Sequence, residues 1–209
     1  VLMIMMFSVA LELRVEDFRR VAKAPRSVVV GLIPQFVLLP LATWVATLAL
    51  DAPPAIEAAM MLVACCPGGS LSNVVTHIGR GNTALSVSIS AVASVLALAL
   101  TPLNFGWMIA ANPATASWLK TINVSITQIA FSLVVILGVP LAFGLLVGVK
   151  RPRLAAALQK PLANLSLFAL LAFIALALYR ERQLLNANIL MPLVLVFAHN
   201  ALGLTLGWG

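Results

Sequence analysis

Apolar residues do not alternate along this chain. They come in long runs separated by short polar stretches, and the runs approach the length of a helix that crosses a bilayer. Seven can be drawn: Val1 to about Leu13, Ser27 to Leu50, Ala55 to Gly79, Thr83 to Ala110, Ile122 to Val149, Leu162 to Tyr179 and Ile189 to Trp208. Backbone groups in lipid must find partners inside their own segment, so each run predicts a helix. The first run is too short to span and reads as the tail of a helix. The third contains an interruption, "CCPGGSLSNVVTHIGRGN", from Cys65 to Asn82.

Composition agrees with the pattern. The chain has 209 residues, of which 62% are hydrophobic and 9% charged, with a mean hydropathy of +1.09. A soluble domain carries far more charge. The reading is an all-α polytopic membrane protein in a lipid bilayer, without a soluble domain. The net charge of +7 does not point to nucleic acid, because the basic residues form no stripe interleaved with aromatics. Ten of the thirteen Lys and Arg fall in alternate loops, which predicts that those loops face the cytoplasm. The adjacent Cys65 and Cys66 are poorly placed for a disulfide, and two thiols with distant histidines do not make a metal site. The chain opens and closes inside apolar runs, so pieces are expected to be missing at both ends.

The interruption is the chemical feature. Pro67 removes a backbone donor, and Gly68 and Gly69 permit conformations that other residues avoid. Together they predict an unwound stretch in mid-membrane. Such a stretch persists only where protein or a water-filled cavity covers it, and its freed carbonyls and half-helix end can hold ions. Ser70, Ser72 and Asn73 follow at once with neutral oxygen atoms. That donor set suits an exchangeable monovalent cation such as Na⁺ better than zinc. Ser86 and Ser90 lie four residues apart on the next helix, on one face, where both hydroxyls can point at Asn73. The bland readings are close helix packing by small residues and Ser hydroxyls bonded back to their own helix. Gln35, between Pro34 and Pro40, is a costly polar group in an apolar run and predicts a bundle interior or cavity. His199 and Asn200 sit in the seventh run. A proton relay is one reading of His199, and a packed, hydrogen-bonded group is the other. His77 and Arg80 read as interface anchors. No catalytic constellation occurs, since no Ser-His-Asp order, HExxH or nucleophile–base pair can be found.

The block "CCPGGSLSNVVTHIGRGNTALSVSISAVAS" closely resembles the signature of the bile acid:sodium symporter family. "GLIPQFVLLPLATW" resembles that family's third transmembrane helix and "FAHNALGLTLGWG" its eighth. The resemblance implies ten helices in two inverted five-helix repeats, with a core domain of two broken, crossing helices and a panel domain beside it. On that map residues 1–209 are a partial transporter domain. Residues 27–110 hold core helices of the first repeat, 118–180 panel-type helices of the second, and 189–209 the start of the second core portion. About seven of the ten helices are expected. The resemblance makes Ser72, Asn73, Ser86 and Ser90 ligands of one sodium site and Gln35 a ligand of another. It places Ser70 and Gly69 near the substrate, and Pro67, Gly68 and Gly69 at the break. The family's second broken helix, with a Glu and a Gln-Asn pair, would follow Gly209. The implied function is a sodium-coupled symporter of organic anions such as bile acids or related carboxylates, working by alternating access in a bacterial inner membrane. It is not an enzyme, it has no cofactor beyond Na⁺ as coupling ion, and its partners are Na⁺, a small organic anion and the bilayer. The rival readings are a non-transporting receptor, assembly subunit or truncated remnant, and a proton-coupled carrier.

Overall fold

The computed structural model describes residues 2–13, 16–17, 19, 21, 25–50, 52–68, 71–121, 125–180 and 190–208. Every regular element among them is helical. Helix α1 is Leu2–Glu12. Helix α2 (Pro25–Ile33) passes through a π-helical turn (Pro34–Leu38) into α3 (Leu39–Leu50). Then come α4 (Pro54–Cys65), α5 (Leu71–Ile78), α6 (Thr83–Ala111), α7 (Pro113–Thr121), α8 (Ile126–Lys150), α9 (Pro152–Arg180) and α10 (Leu190–Trp208).

Local chemistry explains the starts. Four helices, α2, α4, α7 and α9, begin on proline, whose fixed φ suits the first turn and whose missing N–H costs nothing there. Helix α6 begins after Asn82, whose Oδ1 accepts from the Leu85 N–H at 3.0 Å. It ends at Asn112, where the backbone turns extended. The Asn112 side chain then caps α7, accepting from the N–H groups of Ala114 (2.9 Å) and Thr115 (3.4 Å).

Among the described residues, four helical rods are long and apolar enough to cross a membrane: Pro25–Leu50, Thr83–Ala111, Ile126–Lys150 and Pro152–Leu176. Large apolar side chains on them stand exposed, Phe131 and Phe168 among them, as lipid-facing groups do. Two shorter apolar helices are Pro54–Cys65 and Val194–Thr205. The third hydropathy run is therefore two short helices rather than one. The sixth run was expected to begin near Leu162, but α9 begins at Pro152. The intervening "PRLAAALQK" reads as a loop by charge, yet it consists mostly of good helix formers behind an N-terminal proline.

The chain divides into two compact units. One comprises Val1–Arg14 and Ile136–Ala198. Within it α1 packs along α9. Buried Gly144 of α8 lies against the Ala10 side chain and the Phe7 carbonyl, where any side chain would collide. The other comprises Val15–Val135 and His199–Gly209. Its core joins Met61 and Cys65 of α4, Phe105, Met108 and Ile109 of α6, and Leu119 of α7, with Trp44 packed alongside. Polar side chains are buried here too. Asn112 Nδ2 donates to Glu57 Oε2 at 3.0 Å and to Thr47 Oγ1 at 3.3 Å, which fastens α3 and α4 to the α6–α7 corner.

Candidate ion site at the broken helix

Helix α4 stops at Cys65. Cys66 is extended, with φ −74° and ψ 144°, and helical structure resumes at Leu71. A proline and glycines follow Cys66 directly, so the α-helical ladder cannot continue. Of the residues singled out from the sequence, Gly69 and Ser70 lie outside the described residues. Among the backbone acceptors left at the end of α4, the Cys65 carbonyl has a partner: the fully buried Thr101 hydroxyl of α6 donates to it at 2.7 Å. That bond offsets one of the orphan groups that a helix end leaves.

Beyond the break, three side-chain oxygens converge. Asn73 is in the first turn of α5, and its Oδ1 accepts from the Ser86 hydroxyl at 2.7 Å and the Ser90 hydroxyl at 3.3 Å. Ser86 and Ser90 share a face of α6 one turn apart, as their spacing demands. Ser88 and Ser94, on the same helix, instead donate back to the carbonyls of Ala84 and Ser90 at 2.8 and 2.9 Å. So α6 holds both kinds of serine, and only Ser86 and Ser90 are turned to α5. Neither Asn73 nor the two serines is fully buried. The cluster is neutral and made of hard oxygen donors, a set that can hold a monovalent cation and is poorly suited to zinc. Ser72 is exposed, and its carbonyl accepts from the Thr76 hydroxyl at 2.8 Å.

Thr76 escaped the sequence reading. Its hydroxyl also reaches Ser86 Oγ at 3.3 Å, so it extends the cluster by one turn of α5. Its position three residues after Asn73 on a helix was the available signal. A tight turn holds it there. The Gly81 N–H donates to the Thr76 carbonyl at 2.8 Å, and a Cβ at Gly81 would come within 2.9 Å of the Thr76 methyl. Arg80, in the same turn, adopts the left-handed region at φ 55°.

Gln35 lies in the π-turn rather than in a regular helix. The Leu39 N–H reaches the Pro34 carbonyl five residues back, the π register. Gln35 Nε2 is buried and has no partner among the described residues. The π-turn packs against α4 and therefore lies beside the segment that leads into the break. His199 of α10 is hydrogen-bonded, with its Nε2 3.0 Å from the Thr43 hydroxyl. The structure thus unites Asn73, Ser86 and Ser90 directly, and shows no bond from Gln35 to them among the described residues.

Known proteins resemble this sequence. The model of the sodium bile acid symporter family matches residues 1–188. An uncharacterised sodium-dependent transporter of Bacillus subtilis, YocS, is 31% identical over 205 residues, which are 98% of this chain and 61% of that protein. The human ileal sodium/bile acid cotransporter is 29% identical over 184 residues, 86% of this chain and 51% of its own. A probable sodium/metabolite cotransporter of Arabidopsis chloroplasts, BASS1, is 39% identical over 102 residues, 49% of this chain and 25% of its own. The chain therefore spans less than two thirds of the length of each of these relatives.

Proposed function

The chain belongs to the sodium bile acid symporter family, and from that premise we propose that it forms part of a sodium-coupled secondary transporter for small organic anions. It is an integral membrane protein, and we place it in a bacterial inner membrane. The relatives named above are transporters, and we read this protein as a carrier rather than an enzyme. The observation that carries the reading is the convergence of Asn73 Oδ1 with the Ser86 and Ser90 hydroxyls at an interrupted helix.

In this reading Na⁺ is taken up as cargo among those oxygens, with Ser72 completing the set. The hydroxyl hydrogens now aimed at Asn73 turn away, and the oxygens replace the ion's water. Gln35 serves a second sodium site. Pro67, Gly68 and Gly69 make the break, and Gly69 and Ser70 face the anion. The start of α5 presents the positive end of a half-helix dipole, which favours a carboxylate or sulfonate. Bile acids and related carboxylates are the substrate class. Sodium occupancy stabilises the break, after which core and panel domains move against each other to alternate access. The inverted repeats, with core helices at 27–110, panel helices at 118–180 and a second core portion from 189, belong to the same proposal.

The test is uptake of a labelled organic anion by membrane vesicles containing the complete gene product. Wild type should respond to an inward sodium gradient, and Asn73→Ala should lose that response by at least tenfold. Uptake by Asn73→Ala that keeps the wild-type dependence on sodium would refute the assignment.

A further inference from the structure

Among the described residues, helix α6 reaches two irregular stretches of backbone, the end of α4 and the π-turn. Near its start it meets the broken helix through Ser86 and Ser90. Two further side chains, Thr101 and Asn104, stand one turn apart, and each donates to a main-chain carbonyl of another element. Thr101 bonds Cys65 O, at the end of α4, at 2.7 Å. Asn104 Nδ2 bonds Phe36 O, in the middle of the π-turn, at 2.9 Å. Pro102 lies between them and removes one rung of α6's own ladder.

The Asn104 bond bears on Gln35. A π-turn holds one residue more than an α-turn, and without support it relaxes toward α geometry. Slipping that extra residue rotates every following side chain by roughly 100° about the helix axis. Phe36 is the next residue after Gln35, and its carbonyl is the π-turn group that the Asn104 side chain holds from outside. Phe36 is itself buried, so the turn is anchored on one side by packing and on another by this bond. Gln35 Nε2 is buried and without a partner among the described residues, so no hydrogen bond at that atom fixes the amide. Its orientation then depends on packing and on the turn that carries it.

We propose that Asn104 is a positioning residue for sodium: by gripping the Phe36 carbonyl it holds the π-turn in register and keeps the Gln35 amide aimed beside the broken helix. The same helix then orients Asn73 through its serines and Gln35 through Asn104, so both sets of oxygens are referred to one rigid rod. This rests on the reading of Gln35 as a sodium ligand, and the test separates the two.

The complete gene product is purified, and its thermal unfolding is followed as NaCl replaces KCl at constant ionic strength, without organic anion. Uptake against sodium concentration is measured in parallel at saturating anion. Asn104→Ala should raise the sodium concentration for half-maximal stabilisation and for half-maximal uptake by about fivefold, the worth of roughly one hydrogen bond. The maximal uptake rate should stay within about twofold. Asn104→Asp, of the same shape but with an acceptor facing the carbonyl, should shift sodium dependence further. Asn104→Gln, which keeps the donor, should recover part of the loss. Gln35→Ala should give a shift of its own, and adding Asn104→Ala to it should change little more, because the two act in series. If Gln35→Ala shifts sodium dependence and Asn104→Ala only lowers stability equally at all sodium concentrations, the proposal is overturned and Asn104 is a helix–helix bond. If Gln35→Ala shifts nothing, the ligand reading of Gln35 fails and takes this proposal with it, while the Asn73 site stands on its own test. Should Asn104→Ala not fold, Asn104→Ser replaces it. Its hydroxyl is too short to reach the carbonyl, and unchanged sodium dependence there overturns the proposal equally.

Discussion

Two helices of 29 residues, α6 and α9, are matched in length and each contains a proline, Pro102 or Pro161. Their surroundings differ. In the apolar window of α6 28% of residues are buried, against 6% for α9. Helix α6 turns Ser86, Ser90, Thr101 and Asn104 to oxygen atoms of other elements. Helix α9 presents Leu165, Phe168, Leu171 and Phe173 outward. One is a spine to which irregular backbone is fastened, and the other carries a row of exposed apolar side chains. Length and apolarity suffice to cross a membrane. What sets α6 apart is that its polar groups answer backbone and amide groups on its neighbours.

That contrast can be broken by substitution. The largest effect is expected at the end of α6. Asn112→Leu leaves the buried Glu57 carboxyl without the amide that donates to it and uncaps α7, and should cost about 2–3 kcal/mol of stability in thermal or denaturant unfolding. Thr101→Val keeps the shape but strands the Cys65 carbonyl, and should cost about 1–2 kcal/mol by the same measurement. On α9 the sign should reverse. Ser166 Oγ is buried and lacks a partner among the described residues, so Ser166→Ala should be neutral or stabilise by up to about 1 kcal/mol. Equal losses at Thr101 and Ser166 would erase the distinction between the two helices.

The class of the protein could be read from hydropathy, because lipid makes the same demand on every spanning segment. The convergence on Asn73 was legible too. A break followed by Ser-Asn, with two serines one turn apart on the next helix, leaves few arrangements. Thr101, Asn104 and Asn112 were not legible. Each is a polar residue in or at the end of an apolar helix whose partner lies 36 to 68 residues away, and no local pattern announces the pairing. The π-turn left Pro34 and Pro40 as local traces, and proline is equally at home at an ordinary kink. The early start of α9 was hidden because charge near a membrane surface reads as a loop, whereas Pro152 and the alanines after it favour helix.

The most direct test of the central claim is the sodium-dependent melting temperature of the complete, purified protein beside its Asn73→Ala and Ser86→Ala variants. A ligand that binds only the folded state raises stability with its concentration. The account predicts that Na⁺, and not K⁺ at equal ionic strength, raises the melting temperature of the wild type by several degrees. The rise should be largely lost in both variants. An undiminished rise in both would contradict the claim that the oxygens gathered at the break hold the ion.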